Sequence, residues 1–145
     1  MYRSILVPID GSGNANKALE VALLLARACR ASLYLLHVPH PQPTEGLPGR
    51  PTGAAHPKDS AAAHREAGLH LVQTALDTVD TQDIEPEILI VTGRPDETVL
   101  REAQRRDVDA VVLGHRGLGR ARDARGGSVS SYINRHADCR VITVR

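Results

Sequence analysis

The chain has 145 residues, 41% of them hydrophobic and 24% charged, with a formal net charge of +1. That length suits one domain (residues 1–145) with a single core, and near-neutral charge gives no case for a nucleic-acid partner, since sequence-independent binding needs an overall basic face. No apolar run is long enough to span a bilayer, and the absence of Phe and Trp removes the platforms on which bases stack.

Tyr2 to Ile9 is a short apolar run, suited to a strand buried on both faces. No signal peptide is expected, because a strand follows Met1 directly. Asp10 to Gly13 makes a turn in which Ser12 or Asn14 can cap a helix. Ala15, Ala18, Leu19, Ala22, Leu23 and Ala26 then recur at helical spacing as far as about Cys29. Ser32 to Val38 is a second apolar strand. Pro39 to Pro57, rich in proline and glycine, reads as a long mobile loop.

Lys58 to Val79 is a helix whose buried stripe is expected at Leu69, Val72, Leu76 and Val79. Glu85 to Val91 is a third strand, and Pro86 at its start suits a sheet edge. Pro95 opens a third helix that runs to about Arg106, and Asp109 to Leu113 is a fourth strand. Val129 to His136 makes a short fourth helix, and Arg140 to Val144 a fifth strand. Cys29 and Cys139 lack metal or redox spacing and read as two buried thiols in a reducing cytoplasm. Strands alternating with helices imply right-handed crossovers and an α/β fold, an open doubly wound parallel sheet with helices on both faces.

The chemistry concentrates after the fourth strand. Gly114 and Gly117 are followed, after nine residues, by Gly127-Ser128 and the start of the fourth helix. Glycines let the backbone approach a ligand, and a helix start offers free N–H groups with partial positive charge. Arg116, Arg120, Arg122 and Arg125 add local charge that favours phosphate, although each taken singly also reads as a solvated surface residue.

The spacing Gly114-x2-Gly117-x9-Gly127-Ser128-Val129-Ser130 resembles the nucleotide-binding signature of the universal stress protein family. Ile5 to Ser12 resembles that family's opening strand and turn, and Ala137 to Arg145 its closing strand, so the resemblance covers essentially the whole chain. Arg140 departs from a common proline, and Gly126 beside Gly127 leaves a one-residue ambiguity about which glycine meets phosphate.

The resemblance implies five strands in the order 3-2-1-4-5, which sets the ends of strands one and four side by side where the winding reverses. Ligands of open α/β sheets bind beyond the carboxyl ends of the strands at that point. By the same resemblance Pro8, Ile9 and Asp10 line an adenosine pocket, the backbone of Val38 meets adenine, and Leu113 and Gly114 flank the ribose. Gly117 admits the phosphates, and Gly127, Ser128, Val129 and Ser130 hold them. The implied ligand is ATP, with Mg or Mn on the phosphates.

Simpler roles exist for each residue: helix capping for Asp10, Ser128 and Ser130, and turn geometry for Gly114 and Gly117. His37 and His115 read as a strand-end and a loop residue, not as a metal pair or a general base. A homodimer is expected through the edge of strand five, Val141 to Val144, with proline at Ile142 expected to abolish pairing. An unidentified protein partner fits a regulatory role; nucleic acid and membrane insertion do not.

The leading expectation is a cytoplasmic ATP-binding stress-response protein acting as a nucleotide-dependent switch or sensor, not an enzyme. The alternative is a slow ATP-hydrolysing or adenylating enzyme on the same fold. Ile9 to Asn14 lacks the Ser-Gly-Gly-type phosphate loop expected of the latter, and no Walker-type Gly-x4-Gly-Lys-Ser/Thr occurs. A flavodoxin-like carrier lacks its hydroxyl-rich loop and aromatics, and a ligand-free interaction module does not account for the intact glycine signature.

Overall fold

The computed structural model describes residues 1–39, 57–115 and 129–145. The elements run β1 (Ser4–Pro8), α1 (Gly13–Cys29), β2 (Ser32–His37), α2 (Pro57–Asp77), β3 (Glu87–Ile90), α3 (Pro95–Arg105), β4 (Ala110–Gly114), α4 (Val129–His136) and β5 (Arg140–Val144). The strands form one sheet in the order β3-β2-β1-β4-β5, all pairs parallel, as the resemblance implied. Pro86 precedes an edge strand, as expected.

Two apolar layers hold the sheet. Ile5, Val7, Ile9, Leu33 and Leu35 point into one, where Ala18, Leu19, Ala22 and Leu23 of α1 and Val72 and Ala75 of α2 cover them. Leu6, Leu36, Val111 and Leu113 point into the other, against Val99 and Ala103 of α3 and Ile133 of α4. Alternate residues of β1 and β2 thus serve opposite layers, which is why these strands read as unbroken apolar runs.

The helix ends follow their sequence signals. Ser12 caps α1, its Oγ accepting from Ala15 N at 3.2 Å. Arg30 closes that helix in the left-handed region at φ 55°, and Ala31 N donates to Ala26 O at 2.9 Å. Pro95 opens α3 with Asp96 and Glu97 in its first turn, an arrangement that suits the helix dipole.

Two expectations need correction. Of the expected stripe, Val72 is buried and Leu76 and Val79 pack partly buried against the same layer, but Leu69 is 38% exposed, and Gly68, Leu71 and Ala75 complete the buried face. Small residues at 68 and 75 let the helix lie close to the sheet, and that turns Leu69 outward. Cys29 and Cys139 are free thiols, but each is half-buried. Burial pushes the Cys139 thiol above the ordinary range.

At the amino end of the sheet, Asp109 ties β4 to β1. Its Oδ2 accepts from Arg3 N at 2.6 Å and Ser4 N at 3.1 Å, and the Arg3 guanidinium stands 3.5 Å from Oδ1. The hydrogen bond from Arg3 N is the main reason the Asp109 carboxyl is held below the usual carboxylate range.

Candidate functional site

The carboxyl ends of β1 and β4 lie side by side, since Ile5 pairs with Ala110 and Leu6 with Val111. The winding reverses here, because β2 and β3 extend from one side of β1 while β4 and β5 extend from the other. Pro8 is the last residue of β1 and Gly114 the last of β4; both are buried. Ile9, Val38 and Leu113 are buried too, at 1%, 8% and 2% exposure, Ile9 in the first apolar layer and Val38 and Leu113 together in the second.

Asp10 begins the turn out of β1. Its Oδ1 accepts from Ser12 N at 2.9 Å, and its Oδ2 makes no hydrogen bond among the described residues. The carboxylate therefore shapes the turn that precedes the cap, while the cap itself is Ser12. Gly11 follows at φ +84°, a conformation that favours glycine.

Gly114 abuts α1. A Cβ there would stand 2.5 Å from both the carbonyl carbon and the carbonyl oxygen of Asn14. The missing side chain thus has a packing reason, close approach of helix to strand, that holds with or without a ligand. One residue on, His115 N donates to Val144 O and Asn14 Nδ2 donates to His115 O, each at 2.6 Å. The chain is therefore pinned on two sides where it leaves β4.

Across the crevice, Val129 and Ser130 open α4 and are half-buried, and Val129 packs against the second apolar layer. Ser130 O accepts from Asn134 Nδ2 at 2.9 Å. Gly117, Gly127 and Ser128, Arg116, Arg120, Arg122 and Arg125, and residues 40–56 of the proline-rich stretch lie outside the described residues.

Two residues gain roles that sequence reading did not assign. Asn14 registered only as an alternative cap, because its partner His115 is 101 positions away. His37 registered only as a strand-end residue; its Nδ1 lies 2.7 Å from Ile9 O.

Among the described residues no group of three or more His, Cys, Asp or Glu could hold a metal ion, and no helix is long and apolar enough to cross a membrane. Two cavities lie elsewhere. One, of about 660 Å³, is lined by Arg27, Arg30, Tyr34 and Glu85 near the amino ends of β2 and β3, and the other, of about 440 Å³, runs between α3 and α4.

Comparison with known proteins agrees with this architecture. The universal stress protein family matches the chain over residues 1–145. The universal stress protein YxiE of Bacillus subtilis is 30% identical, with each chain covered in full. A universal stress protein solved in complex with cAMP superposes with a TM-score of 0.72 at 23% identity, over 99% of this chain and 97% of that one. One from Arabidopsis thaliana, solved with AMP bound, superposes with a TM-score of 0.66 at 24% identity, over 98% and 90%.

Proposed function

Because the chain belongs to the universal stress protein family, we propose that it binds an adenine nucleotide, ATP with Mg or Mn on its phosphates, at the carboxyl ends of β1 and β4. The observation that carries this reading is the adjacency of those two strand ends at the winding reversal, with Asp10 on one and Gly114 on the other. Two proteins of the same fold hold cAMP and AMP, which favours the adenine class.

The residues present fit such a ligand. Val38 and Leu113, which share one apolar layer, supply apolar surface for a base and sugar, Asp10 Oδ2 has no partner among the described residues and can accept from a hydroxyl, and α4 directs its first N–H groups from Val129 and Ser130. Gly117, Gly127 and Ser128 would hold the phosphates through backbone N–H and hydroxyl groups. The metal would neutralise phosphate charge.

In this reading the protein is a stress-response regulator of the cytoplasm. Bound nucleotide biases its conformation, and it works as a homodimer through β5 or through a further protein partner. The primary test is mass spectrometry of nucleotide released from freshly purified protein, followed by calorimetry. Tighter binding of ATP than GTP, without product formation over hours, supports a nucleotide-binding regulator. No heat with ATP at millimolar concentration overturns it, and steady release of ADP or AMP favours the enzyme alternative.

A further inference from the structure

The rim between β1 and β2 departs from a regular parallel ladder by one hydrogen bond. Arg3, Ile5, Val7 and Ile9 direct their backbone groups toward β2, as the end bonds from Ser32 N to Arg3 O and from Ile9 N to Leu36 O make plain. In that alternation the next rung is Val38 N donating to Ile9 O. It is not made: Ile9 O instead accepts from the His37 ring, whose Nδ1 lies 2.7 Å away. A carbonyl can only accept, so Nδ1 carries the proton. Val38 N–H makes no hydrogen bond among the described residues, although Val38 is 8% exposed.

We propose that His37 is a positioning residue for the nucleotide: its imidazole holds the Ile9 carbonyl, the rung from the Val38 N–H is not made, and that N–H is left to donate to a ring nitrogen of the base. The inference rests on the adenine-nucleotide reading above. A buried N–H without a partner costs free energy, so an acceptor supplied by a ligand is favoured there over bare apolar contact. The ring itself has little freedom. A Cβ on Gly68 would come within 2.9 Å of His37 Cδ2, so α2 closes the edge opposite Ile9 O. The geometry makes helix α2, through His37, a support for the base-recognising backbone.

The test uses the full chain with Mg-ATP and AMP as probes. His37→Leu removes the ring donor, so Ile9 O recruits Val38 N–H and the ladder extends by one rung. Affinity should fall about tenfold, the worth of one hydrogen bond, with little change in the melting temperature of the free protein. His37→Asn sets an amide N–H near the position of Nδ1 and should recover most of the affinity.

Amide exchange supplies a readout that mere structural support would not move. Val38 N–H should exchange fast in the free wild type, become protected when nucleotide binds, and be protected in His37→Leu without any nucleotide. Wild type that binds ATP while His37→Leu binds it equally well overturns the role of His37 alone. So does a Val38 amide already protected in the free wild type. Wild type that binds no adenine nucleotide overturns the nucleotide reading itself, and this role with it.

Discussion

Gly114 and Asn14 are in backbone contact: a Cβ on the glycine would stand 2.5 Å from the Asn14 carbonyl group and 2.8 Å from Asn14 Cβ. The first turn of α1 therefore rests directly on the end of β4, and Asn14 Nδ2 secures the next residue by donating to His115 O. A glycine of the nucleotide signature is thus required by packing before any ligand arrives. Gly114→Ala should force α1 and β4 apart, at about 2 kcal/mol, lowering the melting temperature of the ligand-free protein by roughly 5–10 °C. A ligand-free melt identical to wild type would contradict this.

Gly117→Val makes the complementary case. It should abolish ATP binding while leaving the ligand-free melt near that of wild type. A Cβ and its methyls in the path of the phosphates would remove about two charge-assisted hydrogen bonds worth ~1.5–3 kcal/mol each, a loss of roughly 150-fold or more in affinity. Paired melts of mutant and wild type, with and without Mg-ATP, separate the outcomes. A mutant still stabilised by ATP as much as wild type would end the phosphate-cradle assignment.

Asp109 should make the fold acid-sensitive. Its carboxyl is held low chiefly by the hydrogen bond from Arg3 N, with Ser4 N and the Arg3 guanidinium adding to it. A depressed carboxyl stabilises the fold above the unfolded value of about 3.9, and that contribution is lost as pH falls through the lower folded value. Asp109→Asn keeps an oxygen to accept from both N–H groups and removes the charge. At pH 7 the variant should be the less stable in urea, and the gap should narrow as pH falls below about 3.9. A gap independent of pH would show that the charge is irrelevant.

The homodimer expected through β5 needs a different variant from the one sequence alone suggests. Arg140 N donates to Asp109 O and His115 N donates to Val144 O, so Arg140, Ile142 and Val144 direct their backbone groups toward β4. Proline at Ile142 would therefore break the sheet inside one chain. The groups facing away from β4 belong to Val141 and Thr143. Thr143→Pro should remove one outward donor and convert a dimer to a monomer, with the fold retained by circular dichroism. Light scattering that gives a monomer mass for wild type at micromolar concentration would rule out the dimer.

The order of strands and helices was legible in the residues because its causes are local: unbroken apolar runs for β1 and β2, a periodic stripe for α1, Ser12 as a cap, Pro95 at a helix start. Strand order and the roles of Pro8, Ile9, Asp10, Val38 and the glycines came from resemblance to a family, not from periodicity. What only the tertiary structure decided depends on which strands are neighbours and in what register. The contact of Gly114 with Asn14, the tie of Asp109 to Arg3 and Ser4, and the outward backbone groups of Val141 and Thr143 all join or separate residues through the sheet. The exposure of Leu69 follows from how closely Gly68 lets α2 approach His37 and Ile90. The bond from His37 to Ile9 O spans 28 positions, and nothing in either segment announces it. Hydrogen bonds and close approaches between distant segments leave no periodic trace in a chain, because each needs only one residue at one place in the finished fold.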